Sequence, residues 1–172
     1  RSQAKVIRAI LAHDAYWGIG KDGTLPWPHN PEDQKWFKEC TLNSTVVMGR
    51  ETWEDPDMPK PMPKRHNVIV SSTMKESSHP NIEVVRPDIY KSRCVIMSKT
   101  DNVWIIGGAT LIANSLDIID ELWLNDVDND YNCDTFLPKE EITEMFDAGS
   151  VEIKPFGVIT KWIRKTDASV PT

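Results

Sequence analysis

The sequence predicts an α/β fold in which a central mixed, mostly parallel sheet is flanked by helices and ends in a C-terminal antiparallel hairpin. Three observations lead to this prediction. Short apolar runs rich in β-branched residues alternate with segments of helical character. Clusters of glycine and proline separate these runs. The last two runs flank Phe156-Gly157, as strands flank the turn of a tight hairpin.

The chain length predicts a single domain. The sequence has 172 residues, and a folded domain of about this size buries roughly 70% of its extended surface, enough for a substantial core. The pattern of strands and helices extends almost to the end of the chain. We therefore predict one domain over residues 1–166 and a loose tail over residues 167–172.

The first strand and the first helix have the clearest local signals. The run VIRAILAH (6–13) predicts a buried strand, and the Gly/Pro-rich segment 17–31 predicts a loop. Asn30-Pro31 then offers a helix N-cap and a proline at the first helical position. Two acids follow in the first turn, so a helix of about three turns is expected to near Leu42.

The remaining elements follow from the same patterns. Strands are expected over residues 45–49, 66–72, 81–85, 102–108, 120–127, 150–156 and 157–165, and helices over 87–99 and 109–116. Strands that alternate with helices pair in parallel, which places the parallel part in the middle of the sheet. The final two strands form the antiparallel edge.

Composition limits the class of partner and the compartment. The net charge of −6 disfavours nucleic-acid binding, and no apolar run reaches the roughly 20 residues of a membrane span. Arg8, His13 and Asp14 break the N-terminal apolar run, so no signal peptide is expected. Three widely spaced cysteines predict reduced thiols. We expect a cytoplasmic protein with neither a nucleic-acid nor a membrane partner.

A glycine motif in the first loop does not indicate a dinucleotide-binding helix. Gly18, Gly20 and Gly23 have the G-x-G-x-x-G spacing after a strand. That motif requires a helix to begin at its last glycine. Pro26 and Pro28 prevent such a helix, so the segment is predicted to be a glycine-rich mobile loop.

No metal site is predicted. Asp126, Asp128 and Asp130 resemble the start of a calcium-binding loop, but the sixth position is Tyr131 and the twelfth is Leu137 instead of glycine and glutamate. The four histidines show no ligand spacing either. A solvated acidic loop is the better interpretation of the aspartates.

Asp33 is the leading candidate for chemistry. Trp36 and Phe37 follow it by three and four residues, so all three lie on one helical face. A carboxylate beside two large aromatic rings can border an apolar cavity. An aspartate in a first helical turn also complements the helix dipole without any ligand. Spacing alone leaves both interpretations open.

Two strand ends are candidates for phosphate binding. Gly107-Gly108 ends an apolar strand and precedes a helix, so its backbone can approach a phosphate closely, although a tight turn explains the pair equally well. Gly49-Arg50 likewise places a glycine and a cation after a strand. Such strand ends are where α/β sheets bind ligands.

Together these segments resemble the dihydrofolate reductase family. The resemblance follows the chain in order through GIGKDGTLPW (18–27), PEDQKWFK (31–38), TVVMGRETWE (45–54), NVIVSS (67–72), VWIIGGATL (103–111), ELWL (121–124) and DTFLP (134–138). It implies the family's fold in a monomeric enzyme that reduces dihydrofolate to tetrahydrofolate with NADPH. Such an enzyme supports one-carbon and thymidylate metabolism and is a target of antifolates.

The resemblance implies three residues at the reacting ring. Asp33 is similar to the family's active-site carboxylate, which accepts hydrogen bonds from the pterin N3 and 2-amino groups. Leu25 would cover the nicotinamide pocket from the mobile loop, which closes over the cofactor and excludes water. Trp27 would order a water molecule beside the pterin, and water is expected to deliver the proton to N5.

The resemblance also implies a substrate-binding set. Phe37 would pack on the pterin and benzoyl groups, and Met62 on the benzoyl ring. Arg65 would bind the substrate's α-carboxylate as a fork. Ile106 belongs to the same set. Asn125 lies where the family usually has a threonine that bonds the active-site carboxylate, and its amide can also donate.

The cofactor contacts implied by the resemblance lie mainly at strand ends, and the family's glycine pair has a cis peptide bond. The set comprises Ala12, Ile19, Gly20, Gly49, Arg50, Thr52, Ser71, Ser72, Gly107, Gly108, Ala109 and Thr110. Glu51 and Thr110 depart from the pattern, because many relatives have a basic or neutral residue at the first position and often an arginine at the second. These departures weaken the expected preference for NADPH over NADH.

Two other functions compete with this interpretation. One is a reductase of the same fold that acts on a pyrimidine of riboflavin biosynthesis, which lacks the aromatic acid helix in this form. The other is a folate-binding or assembly protein that kept the pocket and lost turnover. An assay of NADPH oxidation with dihydrofolate separates them.

Overall fold

The computed structural model describes residues 6–166, in which eight of ten strands form one sheet and the other two pair with each other. The strands are β1 Ile7–His13, β2 Gly18–Gly20, β3 Thr45–Gly49, β4 His66–Val70, β5 Ile82–Val85, β6 Val103–Gly107, β7 Glu121–Asp126, β8 Thr135–Phe136, β9 Phe146–Lys154 and β10 Gly157–Arg164. The helices are α1 Pro31–Thr41, α2 Arg50–Glu54, α3 Tyr90–Met97, α4 Ala109–Ser115 and α5 Lys139–Met145. Among these described residues, no helix is long and apolar enough to cross a bilayer.

The sheet is mixed and mostly parallel, as predicted. Its strand order is β5-β4-β3-β6-β1-β7-β10-β9, and the first six strands pair in parallel. β10 is antiparallel to β7, and β9 is antiparallel to β10. The predicted C-terminal hairpin is therefore confirmed. The carboxyl ends of β1, β3, β6 and β7 meet at one edge of the sheet, where α/β sheets bind ligands.

The start of α1 agrees with its sequence signals. The Asn30 side chain accepts hydrogen bonds from the backbone N–H groups of Glu32 (2.9 Å) and Asp33 (3.3 Å), and Pro31 is the first helical residue. The cap satisfies two of the donors that a helix N-terminus leaves free. Asp33 is thereby fixed in the first turn.

Several predicted boundaries were wrong, and four elements were not predicted. Within residues 6–166, the strands β2 and β8 pair only with each other and are too short to show a period. The helices α2 and α5 are similarly short. β9 begins at Phe146, whereas the sequence predicted a start at 150. The prediction missed the first residues of the strand because these exposed edge residues do not alternate in polarity. The helix predicted over 87–99 is α3, which begins after a turn that follows Pro87. The predicted tail lies outside the described residues.

Alternate residues of the central strands face two separate cores. Ala9, Val47 and Val68 belong to one cluster, whereas Ile10 and Ile69 belong to the other. This alternation is the two-residue period of a sheet buried on both faces. The second cluster also contacts Trp36, Phe37 and Cys40, so α1 covers that face of the sheet.

An ion pair connects β5 to α3. Both carboxylate oxygens of Glu83 accept from Arg93, at 2.7 and 2.9 Å, and one of them also contacts His66 Nε2 at 2.8 Å. The hydrogen bonds from Arg93, despite partial burial, lower the pKa of Glu83 from its ordinary value of 4.5 to about 2. The ionised form therefore stabilises the fold above pH 4.5, and this contribution is lost as the pH falls toward 2.

We expect Glu83→Gln to lower the free energy of unfolding by about 1–2 kcal/mol at pH 7, because it removes a partly exposed ion pair. Urea denaturation of the variant and the original protein should show the difference shrinking as the pH falls below about 4.5. Glu144→Gln, at an exposed position on α5, is the control and should change little. A Glu83→Gln difference that stays constant with pH would contradict this account.

Candidate active site

Asp33 lies half-buried in the first turn of α1, where it contacts the end of β7. Its Oδ1 accepts a hydrogen bond from Asn125 Nδ2 at 3.1 Å, and Asn125 is fully buried. Burial raises the pKa of Asp33, and the hydrogen bond from Asn125 opposes that rise. The carboxylate thus keeps free acceptor positions in a partly desolvated environment.

A cavity of about 530 Å³ adjoins Asp33. This volume lies in the range of small-molecule sites. The cavity is bounded by the last part of the first loop, the loop after β7 and the β9–β10 hairpin. Its lining residues are Trp27, Pro28, His29, Asn30, Asp33, Val127, Asp128, Tyr131, Ile153, Lys154, Pro155, Phe156, Gly157 and Val158. The rings of Trp27 and Tyr131 meet edge to face, with centroids 5.6 Å apart.

The predicted apolar substrate residues lie together, outside this cavity's lining. Met62 is buried in the second core cluster, and Phe37 and Ile106 pack against the same cluster. Phe37 follows Asp33 by one helical turn and so lies on the same side of α1. The structure therefore brings Phe37, Met62 and Ile106 to one apolar region that begins next to Asp33.

Arg65 is a buried cation that has no acidic partner among the residues the structure describes. Its exposed fraction is 6%, and its Nε has no hydrogen-bond partner among residues 6–166. Burial lowers the pKa of this guanidinium. Asn67 fixes the surrounding chain, because its Nδ2 donates to the carbonyl oxygens of Met62 (3.0 Å) and Arg65 (2.9 Å). A buried guanidinium of this kind favours an anionic ligand.

The first loop is tied down at two points that the sequence did not predict. Asp14 is buried, and its Oδ1 accepts from the backbone N–H groups of Tyr16 (2.9 Å) and Gly18 (2.8 Å). Asp134 Oδ2 accepts from the backbone N–H of Asp22 at 3.0 Å. The position of Asp14, between a strand and a Gly-rich segment, is typical of aspartates that bond turn backbone. No local sequence pattern indicated the contact between Asp134 and Asp22, which are far apart in the chain.

Leu25 is not brought to the predicted pocket. Its side chain is 56% exposed on the loop, and it neither lines the cavity nor joins a core cluster. Ile19 and Gly20 lie in β2 of the same loop, and Ile19 packs against the first core cluster. Ala12 pairs with Asn125 across β1 and β7 and so lies close to Asp33.

Glycine backbone from two strands lies side by side where β3 and β6 end. A Cβ added to Gly49 would lie 3.8 Å from the Gly108 nitrogen and 3.9 Å from the Gly107 oxygen. Gly107 has φ +133°, and the Gly107-Gly108 peptide is cis, as the resemblance implied. Thr52 Oγ1 lies 3.4 Å from a Cβ built on Gly107. Ala109 and the exposed Thr110 begin α4 directly after this pair.

Hydroxyl and guanidinium groups follow the end of β4. Buried Ser71 accepts from the backbone N–H groups of Thr73 and Met74 through its Oγ, and Ser72 is exposed. Arg50 donates from Nη1 to Thr73 Oγ1 at 2.8 Å and from Nε to Glu54 at 3.2 Å. Backbone without side chains, hydroxyl donors and a cation together fit a phosphate-bearing cofactor.

Two further charged residues, Arg86 and Glu51, lie in this region. Arg86, which was not predicted, donates from Nη1 to the carbonyl oxygens of Ser71 and Met74, both at 2.8 Å. It thereby fixes the turn that follows β4. Glu51 is exposed in the first turn of α2, next to Arg50. The cation of Arg50 is thus paired with Glu54 and adjoins Glu51 in the sequence.

Comparisons with known proteins point to one family. The family model described as dihydrofolate reductase matches residues 6–152. A dihydrofolate reductase from Staphylococcus aureus is 35% identical over 145 residues, covering 84% of this chain and 86% of the relative. A dihydrofolate reductase from Haemophilus influenzae is 34% identical over 121 residues, covering 70% and 71%.

A solved structure has the same fold. Dihydrofolate reductase from Enterococcus faecalis, complexed with NADP(H) and RAB-propyl, superimposes with a TM-score of 0.78 at 24% identity. The superposition covers 94% of this chain and 97% of the other. The α/β architecture is therefore shared over nearly the whole length.

Proposed function

The chain belongs to the dihydrofolate reductase family, and we propose that Asp33 is the carboxylate that binds the pterin ring of its substrate. The protein reduces dihydrofolate to tetrahydrofolate with NADPH. The assignment of Asp33 rests on one observation. Its half-buried carboxylate accepts a hydrogen bond from Asn125 at the edge of a cavity. The roles given below to the other residues are those that the family resemblance implies.

Asp33 orients the ring. Asn125 occupies one lone pair of Oδ1, which leaves acceptors for two N–H groups of the pterin edge, N3 and the 2-amino group. Two charge-assisted bonds to a planar ring fix its rotation as well as its position. The same bonds bias the ring electronically for reaction at C6 and N5. Water, ordered by Trp27 in the wall of the adjoining cavity, delivers the proton to N5.

The rest of the substrate extends along the second core cluster to Arg65. Phe37 and Met62 pack against the pterin and benzoyl rings, with Ile106 in the same region. Arg65 binds the α-carboxylate of the glutamyl group, which supplies the anion that this buried guanidinium lacks among the described residues. The two ends of the substrate are thus held by opposite charges.

NADPH, when bound, supplies the hydride that reaches C6. Ala12, Ile19 and Gly20 would line the nicotinamide end, and Leu25 would reach it when the loop closes and excludes water. Backbone and donors at the strand ends would hold the phosphates and adenosine. These residues are Gly49, Arg50, Thr52, Ser71, Ser72, Gly107, Gly108, Ala109 and Thr110.

We further propose a single-domain cytoplasmic monomer over residues 1–166, with a tail over 167–172 and neither nucleic acid nor membrane as partner. The net charge of −6 supports the absence of a nucleic-acid partner, since a nucleic-acid surface is basic. The three cysteines are free, and burial raises their pKa values to about 11 for Cys40 and Cys133 and about 12 for Cys94. Such thiols stay protonated and unreactive in a reducing compartment.

The loss of NADPH absorbance at 340 nm in the presence of dihydrofolate tests the activity. We expect turnover that depends on dihydrofolate, with a kcat of about 1–10³ s⁻¹, the ordinary range for enzymes. The pyrimidine substrate of the riboflavin reductases is the control and should give none. Tight binding of an antifolate without turnover would instead indicate a folate-binding protein.

A further inference from the structure

The turn between β9 and β10, residues 155–157, contacts the supports of Asp33 from two sides. Phe156 packs against Trp36, which lies one helical turn after Asp33, with ring centroids 6.3 Å apart. Gly157, the first residue of β10, lies against Asn125. All three turn residues line the cavity that adjoins Asp33. The hairpin turn therefore touches both elements that hold the carboxylate.

Gly157 leaves no space for a side chain. A Cβ built there would lie 2.9 Å from Asn125 Cγ, 2.7 Å from the Asp126 carbonyl oxygen and closer still to Asn125 Oδ1. Real Cβ atoms do not approach other heavy atoms this closely. The φ of +153° also favours glycine. The turn cannot withdraw freely, because Val158 pairs with Asp126 and Ile159 pairs with Asn125 across β10 and β7.

The carboxamide of Asn125 occupies the space that a side chain at position 157 would need. Its Nδ2 donates to Asp33 Oδ1 at 3.1 Å, and its buried Oδ1 has no hydrogen-bond partner among residues 6–166. If the carboxamide were turned by 180°, its oxygen would face the Asp33 carboxylate, and the two groups would repel each other. The observed direction is therefore the one that supports an ionised Asp33, and it requires Oδ1 to fit against the hairpin.

We propose that Gly157 is a positioning residue for the reaction, because its missing side chain makes the space in which Asn125 holds its amide donor on Asp33. The inference rests on the proposed role of Asp33. Gly157 itself contacts Asn125, so its effect on the reaction passes through that side chain. Because strand pairing holds the turn against β7, a larger residue at 157 displaces the carboxamide and breaks its bond to Asp33.

Gly157→Ala tests this. Loss of the donor disfavours the ionised carboxylate, so the pKa of Asp33 should rise by about 1, the equivalent of about 1.4 kcal/mol of hydrogen bonding. The measurement is a ¹³C NMR titration of carboxyl-labelled aspartate, with the Asp33 signal assigned by its absence in Asp33→Asn. Asp128, His29, Tyr131 and Lys154 also line the cavity, so this assignment is required. kcat/KM for dihydrofolate should fall about tenfold.

Gly149→Ala is the matched control in the same hairpin. Its Cβ would lie 2.7 Å from the Lys161 oxygen and 3.1 Å from Ile163 Cγ1, so it strains the hairpin without touching Asn125. It should lower Tm and leave the pKa of Asp33 unchanged. An equal pKa change in Gly149→Ala and Gly157→Ala would overturn the proposal, as would an unchanged Asp33 titration and kcat/KM in a folded Gly157→Ala.

The double variant Asn125→Ser/Gly157→Ala completes the test. Serine is too short to meet the new Cβ, so adding Gly157→Ala to Asn125→Ser should cause no further change in the pKa of Asp33. The contact of the new Cβ with the Asp126 carbonyl oxygen remains in the double variant, so only the clash with the carboxamide is relieved. If Gly157→Ala alone does not fold, the double variant should show a larger folded fraction by circular dichroism, and a double variant that is no better folded than Gly157→Ala would overturn the proposal. Wild-type turnover in Asp33→Asn would refute the proposed role of Asp33, which is a result separate from any of these.

Discussion

Replacing Asp33 with asparagine should lower kcat/KM for dihydrofolate by about 10²–10⁴-fold, the range in which acid–base and charge-assisted groups contribute. The amide keeps the size of the side chain and removes its charge. One of its two acceptors also becomes a donor, which opposes the N–H groups of the pterin edge. Steady-state kinetics at several pH values measure the effect.

Glu32→Gln is the matched control for this variant. Glu32 precedes Asp33 in the same helical turn and is exposed, so its neutralisation should change kcat/KM little. The affinity for NADPH, followed by protein fluorescence, should be the same in both variants because the cofactor residues lie elsewhere. Near-normal turnover by Asp33→Asn would contradict the assigned role.

Arg65→Gln should raise KM for dihydrofolate by about 10²-fold and leave kcat nearly unchanged. A fork of two charge-assisted hydrogen bonds contributes about 3 kcal/mol, and it holds the substrate equally in the ground state and the transition state. The guanidinium is buried and its Nε has no hydrogen-bond partner among the described residues, so little else compensates for its loss. Initial-rate kinetics separate KM from kcat.

A truncated substrate isolates the contact of Arg65. A dihydropterin that lacks the benzoyl-glutamyl group has no α-carboxylate, so its kcat/KM should be nearly equal in the Arg65→Gln and original enzymes. Lys64→Gln is a control for charge alone, since Lys64 is exposed beside it. Equal losses with both substrates would show that Arg65 stabilises the fold instead of binding the carboxylate.

Local chemistry made much of the fold predictable. Asn30 and Pro31 marked the start of α1, and short apolar runs marked the central strands because both faces of the sheet are buried. The hairpin about Phe156-Gly157 followed from its turn residues. Each of these signals lies within a few residues of the element that it specifies.

The features that could not be predicted from the sequence depend on contacts between distant segments of the chain. β2 and β8 exist only because they pair with each other, and the Asp134 contact that ties down the first loop joins residues far apart in the chain. The 92-residue separation of Asp33 and Asn125 likewise carries no local pattern, and only resemblance suggested the pair. Gly157 looked like an ordinary hairpin glycine, and its closeness to Asn125 became visible only in three dimensions.

The central claim is that Asp33, as a carboxylate, receives hydrogen bonds from the pterin ring. The most direct measurement is the ¹³C NMR titration of its carboxyl carbon with and without saturating dihydrofolate. Donors that bind the charged form lower a pKa, so the midpoint should fall when the substrate is bound. A midpoint that is unchanged or higher with dihydrofolate present would contradict the claim.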